Sequence, residues 1–483
     1  MYGLTIVELH ELLKNKKIDI KDYYNQLFED SKYVQGRLNV FVTITKDEVL
    51  NALDHFEFDE NNYLSGIPFV AKDNFSTKGI KTTASSRMLE NYVPIYNAHV
   101  IDMLNEKGCM MIGKASMDEL AMGGTNKSAL TGPVGNPYDP TRIAGGSSGG
   151  SAAIVGSGLV PFTLGSDTGD SIRKPAGFCG VVGFKPTWGR ISRYGVIPYA
   201  SSLDHVGVFT RSVEDMAIVI EAVSGRDDRD MTSSYREVEP YFSNLTTNVQ
   251  DKKIAVIKNI YDQISNVEIK ANVDRVIEIY KNMGCTVDFV EFDQILLKAL
   301  LPTYTIIANS EATSNHACLD GVKYGTRVDA PSPDEIMIAS RTNGFGSHIK
   351  RRFILGNLAL ATQNQEKMFR KAQRVRRLIV VELNKIYENY DLVLSPTSGQ
   401  IASKIENQDE DRLTDEYLIL ENHLVLGNFA GTPSLTLPSG FVEGMPIGIN
   451  LMGRLFEEQT VLNAAFALEK ELGLKNKFEK GEA

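Results

Sequence analysis

The sequence predicts an α/β fold, and three observations carry that prediction. Short apolar runs of strand length alternate with amphipathic helical patterns along most of the chain. No stretch rich in Pro, Ser or charge divides the chain into independent halves. With 483 residues, 42% of them apolar and 23% charged, the chain can bury one large core.

The elements follow in order. MYGLTIVELHELLKNKK carries charges inside its apolar stretch, which suits an amphipathic helix and not the apolar core of a signal peptide. Residues 1–60 are expected to form a helical arm that packs on a main domain over 61–475. GIPFVAKDN (66–74) and CMMIGKAS (109–116) read as buried strands that end in polar residues. IAGGSSGGSAAIVGSG (143–158) has the composition of a flexible linker, but it runs straight into Ala, Ile and Val, as a loop feeding a packed helix would. GLVPFTLGSD (158–167) is a further strand. Residues 253–292 give a strand–helix–strand pattern, and 364–388 a long charged helix. YDLVLSPT (390–397), SLTLPSGF (434–441) and PIGINLMG (446–453) return to strands, and a polar tail at 476–483 is expected to be flexible.

Composition excludes several functions. A net charge of -10 disfavours a general polyanion binder, although a local basic patch can oppose the overall sign. Cys109, Cys179, Cys285 and Cys318 form no C-x-x-C pair and no metal-ligand spacing, so they read as reduced thiols and no metal site is expected. No run of about 18 apolar residues is present to span a membrane. A soluble, cytoplasmic protein is expected.

Chemistry concentrates in TLGSDTGDSIRKPAGFCG (163–180), where Ser171 follows a turn rich in glycine and small residues. A nucleophilic serine needs a base. None of the seven histidines sits in a recognisable arrangement, and His205 reads as structural. Ser171 and Lys174 match S-x-x-K, but the companion K-[ST]-G is missing. Lys72, at the end of a buried strand, fits better: burial favours the neutral amine that a base requires. Ser147 or Ser148 of GGSSGGSA could relay the proton, and the glycines let backbone N–H groups approach an oxyanion. Gly108–Lys114 matches a phosphate-binding loop up to Ala115, where a Ser or Thr is needed, and reads instead as a strand.

Taken together, AKDN, GGSSGGSA and GSDTGxSIR-PA-FCG closely resemble the amidase signature family. The resemblance implies a large mixed β-sheet covered by helices on both sides, with a Ser-Ser-Lys triad. By position, Ser171 would be the nucleophile, Ser147 the bridging serine and Lys72 the base. The backbone N–H groups of Thr168, Gly169, Asp170 and Ser171 would form the oxyanion hole. Within the family, KPTWGRISRYGVIPYASSLDHVG, KRRFILG and GNFAGTPSLTLPSGF resemble the glutaminase subunits of tRNA-dependent amidotransferases. That implies glutamine as substrate, two partner subunits (B and C) in a heterotrimer, and ammonia passed to a partner that converts Glu-tRNA(Gln) to Gln-tRNA(Gln). ATP and Mg would bind at that partner, as would most of the Glu-tRNA(Gln), with no cofactor in this chain. Tyr304, Arg352 and Glu421 would bind the substrate, Arg352 its carboxylate and Glu421 its ammonium. The basic helix at 367–378 is a solvated face in the commoner reading and a tRNA contact in the rarer one. A stand-alone amidase and a non-catalytic assembly protein remain alternatives.

Two residues depart from the family's pattern: Asp170 replaces a glycine and Lys174 a glutamine. A carboxylate about 4 Å from the oxyanion would cost about 4 kcal/mol at an effective dielectric near 20. Asp170 and Lys174 are four apart, so a helical turn would let them pair. Asp170 is therefore expected to point away from the oxyanion, neutralised by Lys174 or Arg173.

Overall fold

The computed structural model describes residues 3–407 and 414–478. Eleven strands form one sheet: β1 (Phe41–Ile44), β2 (Pro68–Lys72), β3 (Met110–Ala115), β4 (Phe162–Asp167), β5 (Val182–Lys185), β6 (His205–Thr210), β7 (Lys253–Ile257), β8 (Thr286–Val290), β9 (Leu392–Pro396), β10 (Ser434–Val442) and β11 (Met445–Gly453). Their order is β1-β3-β2-β4-β6-β5-β10-β11-β9-β7-β8. β2 runs parallel to β3 and β4, and β7 runs parallel to β8 and β9. The other pairings are antiparallel, so the sheet is mixed. Every residue of β2, β4 and β6 is buried, as a strand covered on both faces requires.

The arm at 1–60 is not purely helical. Along the chain, helices Ile6–Lys14 and Ile20–Leu38 precede β1 and Lys46–Leu53 follows it, and β1 is an edge strand paired antiparallel with β3. The first helix opens on a capping box between Thr5 and Glu8, and it buries Ile6, Leu9, His10 and Leu13, one face at helical spacing. The tail is likewise held at its start. Asn476 donates its N–H to the Arg211 carbonyl at 3.0 Å and its side-chain amide to Gly3 O at 2.7 Å. Residues 479–483 lie outside the described residues.

The Gly/Ser segment is a packed element and not a linker. It forms the fully buried helix Gly149–Gly156, which leads into β4. Glycine is needed there because a Cβ at Gly150 would stand 2.4 Å from the Ser116 carbonyl oxygen at the end of β3. The strand–helix–strand unit appears as β7, helix Val267–Asn282 and β8. The charged segment forms a π-turn at Glu366–Arg370 followed by helix Lys371–Tyr387. Among the described residues, no helix is long and apolar enough to cross a membrane, and no metal-ligand cluster occurs.

Candidate active site

β2 delivers Lys72 into the protein interior. Its Nζ lies 2.8 Å from Ser147 Oγ, 2.8 Å from Ser148 Oγ and 2.9 Å from Ser166 Oγ, with Ser166 O at 3.2 Å. Burial lowers the ammonium's pKa to about 7, against the weaker opposing pull of Asp118, Asp167 and Asp204. Near neutrality the amine is therefore available as a base. The proton accounting narrows its partner. Ser148 commits its hydroxyl proton to Ser166 O at 3.0 Å, and Ser166 Oγ also accepts from Asn74 Nδ2 at 3.0 Å. Ser147 and Ser166 are thus left with a hydroxyl proton to give to the neutral amine, and Ser147 is the one carried by the Gly/Ser loop.

The loop bearing Ser147 is held from below by Asp118. That carboxylate accepts from the N–H groups of Thr125, Asn126 and Ser128 and from the Ser128 hydroxyl. The Asp118 N–H donates to Ser147 O at 3.2 Å, and the Gly149 N–H donates to Asn126 Oδ1 at 3.0 Å. The glycine at 146 is spatially required, since a Cβ there would meet Asp118 Oδ2 at 2.1 Å.

β4 carries Ser166 and then turns through 168–171 to helix Arg173–Cys179. A buried ion pair shapes this turn: Arg173 Nη2 and Nε donate to Asp167 Oδ1 and Oδ2 at 3.0 and 3.1 Å. Asn428 closes the frame, donating to Asp167 Oδ1 at 2.8 Å and accepting from Arg173 Nη2 at 2.6 Å. Arg173 Nη2 also donates to Gly169 O at 2.7 Å. With its carbonyl side fixed, the turn leaves the N–H groups of Thr168, Gly169, Asp170 and Ser171 without a hydrogen-bond acceptor among the described residues. Unpaired N–H groups in a buried turn are costly unless a ligand oxygen can meet them. Ser171 is 4% exposed. Among the described residues its Oγ makes no direct hydrogen bond with Ser147, a contact that often tightens only when substrate binds.

Asp170 and Lys174 meet as their spacing predicts. The Lys174 N–H donates to Asp170 O at 2.9 Å, so a helical turn forms, and Nζ stands 3.5 Å from Asp170 Oδ2. Arg173 is not that partner, because Asp167 holds it. Lys174 also reaches Glu421, at 3.0 Å from Oε2 and 2.8 Å from the backbone carbonyl. Glu421, expected to meet the substrate ammonium, already faces a cation.

Tyr304 and Arg352 come from two crossing helices, Leu300–Asn315 and Ser347–Leu360. The Tyr304 ring lies on Gly169, where a Cβ would be 3.0 Å from Cζ. It meets Tyr199 edge-on at 6.4 Å between centroids. Arg352 Nη1 donates to Tyr199 Oη at 2.8 Å, and Nε donates to His348 Nε2 at 3.0 Å. Tyr199 was not singled out by sequence, nor were Asp118, Ser166 and Asp167. Their only sequence signal is a polar residue at the end of an apolar run. Two decoys resolve as structural. Lys114 lies inside β3, donating to Thr82 Oγ1 at 2.8 Å, and His205 is buried in β6 with Nδ1 2.6 Å from Leu203 O.

Comparison with known proteins bears on the family and the fold. The profile of the Amidase family matches residues 24–462. A protein of Oenococcus oeni described as the A subunit of glutamyl-tRNA(Gln) amidotransferase is 40% identical over 476 residues, covering 97% of each chain. One of Streptococcus suis with the same description is 40% identical over 470 residues, covering 96% of this chain and 95% of its own. The crystal structure of the corresponding glutamyl-tRNA(Gln) amidotransferase chain from Thermotoga maritima superposes with a TM-score of 0.83 at 33% identity, covering 99% of this chain and 98% of that one. A bacterial aryl acylamidase of the amidase signature enzymes shares the fold at 22% identity, with a TM-score of 0.85. A profile match over residues 24–462, together with relatives 40% identical over nearly the whole length, places this chain in the amidase family.

Proposed function

We propose that this chain is the glutaminase component of a Glu-tRNA(Gln) amidotransferase. The observation that carries the chemistry is Lys72, buried and held by serine hydroxyls, with no carboxylate in contact among the described residues. Neutral Lys72 takes the Ser147 proton while Ser147 takes that of Ser171. The Ser171 oxygen bonds to the side-chain amide carbon of glutamine, and the resulting oxyanion is met by the N–H groups of residues 168–171. The proton returns through Ser147 to the amide nitrogen, the C–N bond breaks and ammonia leaves. Water then cleaves the γ-glutamyl ester by the same relay. Arg352 receives the substrate carboxylate, for which a guanidinium fork is suited.

The names of the relatives support a multi-subunit assembly. The reading includes two partner subunits (B and C) in a cytoplasmic heterotrimer, with ATP, Mg and most of the Glu-tRNA(Gln) contact at a partner and no cofactor in this chain. The test is glutamine hydrolysis with and without the partner subunits, on wild type, Lys72→Ala and Lys174→Met. Lys72→Ala is expected to lower the rate by about 10²- to 10⁴-fold, the usual worth of a positioned base. Lys174→Met retains turnover, and an acylating glutamine analogue labels Ser171. If Lys174→Met abolishes hydrolysis while Lys72→Ala is tolerated, the S-x-x-K arrangement is the working one. A wild-type rate on another amide that partners never change identifies a stand-alone amidase. Absence of Ser171 labelling identifies a non-catalytic assembly protein.

A further inference from the structure

We propose that Asp170, and not Glu421, is the residue that reads the ammonium group of the substrate, and that Lys174 fixes this choice by occupying Glu421. The inference rests on the reading of glutamine as substrate.

Glu421 has little capacity left. Its Oε1 accepts from the Gly399 N–H at 2.9 Å and from Ser398 Oγ at 2.9 Å. Its Oε2 accepts from Ser398 Oγ at 3.0 Å and from Lys174 Nζ at 3.0 Å. The group is neutralised by a cation of the protein itself, and its side chain is 15% exposed. Lys174 is equally committed: its three donors face Glu421 O, Glu421 Oε2 and, more distantly, Asp170 Oδ2.

Asp170 differs on every count. Its side chain is 24% exposed, and its one ion pair among the described residues is the 3.5 Å approach of Lys174. Two carboxylates share one ammonium, so the cluster carries one uncompensated negative charge, and Asp170 is its accessible end. Burial raises the Asp170 carboxyl, so a second cation would be welcome there. Position agrees with charge. Asp170 stands between Ser171 and Gly169, the residue against which the Tyr304 ring lies. The Tyr304 hydroxyl feels both the Arg352 guanidinium and the Asp170 carboxylate. Tyr304 is thus flanked by a cationic and an anionic group, which matches the two charges of an α-amino acid.

Hydrolysis by the chain with its partner subunits distinguishes the residues, using glutamine and glutaramate, which lacks the amino group. Asp170→Asn is expected to raise KM for glutamine roughly tenfold to a hundredfold, the worth of a charge-assisted contact. It leaves KM for glutaramate close to wild type, and any change in kcat that arises at the oxyanion turn is shared by both substrates. Asp170→Gly, which empties the position, reproduces the same split. The double variant Glu421→Gln, Lys174→Met, which leaves Asp170 as the charged member of the cluster, keeps the preference for glutamine. The inference is overturned if Asp170→Asn weakens both substrates equally, or if that double variant loses the preference for glutamine. It is also overturned if wild type prefers glutaramate, since Lys174 would then fill the ammonium subsite. A wild-type complex that hydrolyses neither substrate refutes the glutaminase reading itself, a different result from any of these.

Discussion

In the proposed relay, Lys72 sets the pH behaviour of the site. Its ammonium is pushed down from 10.5 to about 7 by burial, and only the deprotonated amine can accept the Ser147 proton. Hydrolysis is therefore expected to rise with pH through an apparent pKa near 7, measured as kcat/KM under conditions that keep the fold intact. An acidic limb centred far below that value would assign the base to another group. Lys72 was legible in the sequence because a lysine ending the apolar run GIPFVAK has few roles that justify its burial. The Asp170–Lys174 pair was legible too, through its spacing of four. The second partner of Lys174 was not, because Glu421 lies 247 residues away and only the fold brings it near. The same holds for Asn428, which closes the Asp167–Arg173 frame from 261 residues away.

At the scale of elements, the proposed substrate pocket depends on two helices that touch backbone to backbone. A Cβ at Gly356, in helix Ser347–Leu360, would stand 2.2 Å from Asn309 O and 2.1 Å from Thr313 Oγ1 of helix Leu300–Asn315. Gly356→Ala must therefore push apart the helices that carry Arg352 and Tyr304. The expected cost is about 1–3 kcal/mol from overpacking, offset by up to about 1 kcal/mol of helix propensity. Denaturant unfolding measures the net loss, and KM for glutamine should rise more than kcat falls. An unchanged KM would mean that Arg352 and Tyr304 do not act together on the substrate. Crossing helices of this kind were invisible to periodicity, which reports which face is buried and not what lies against it. Strand recognition failed for a related reason. β1 and β5 span only four residues, and β6 is interrupted by Gly207, where a Cβ would lie 2.1 Å from Phe184 O. Long apolar runs such as β10 and β11 needed no such context.

Across the whole molecule, the two ends of the chain meet at the start of helix Val213–Val223, and two buried carboxyl groups record that meeting. Asp215 Oδ1 accepts the Ile6 N–H at 3.1 Å from the N-terminal helix, and Glu469 Oε1 accepts the Val213 N–H at 2.9 Å from helix Glu458–Leu472. Their other oxygens, Asp215 Oδ2 and Glu469 Oε2, are buried without a hydrogen-bond partner among the described residues. Burial raises both groups to about 7, outweighing the nearby cations Arg211 and Lys475, while Glu214 repels Asp215 further. The folded state thus holds protons that the unfolded chain releases near its ordinary values of 3.8 and 4.5. Where the folded state binds more protons, stability falls as pH rises. The contribution of this pair is therefore complete below about 4 and is lost as pH climbs through about 7. Melting temperatures measured from about pH 5 to 8 should fall more steeply for wild type than for the double variant Asp215→Asn, Glu469→Gln, which keeps both accepted hydrogen bonds without the titrating protons. Parallel curves would mean that neither carboxyl titrates in this range. The arm at 1–60 and the tail, which the sequence set apart from the main domain, would then need some other reason for closing on the same helix.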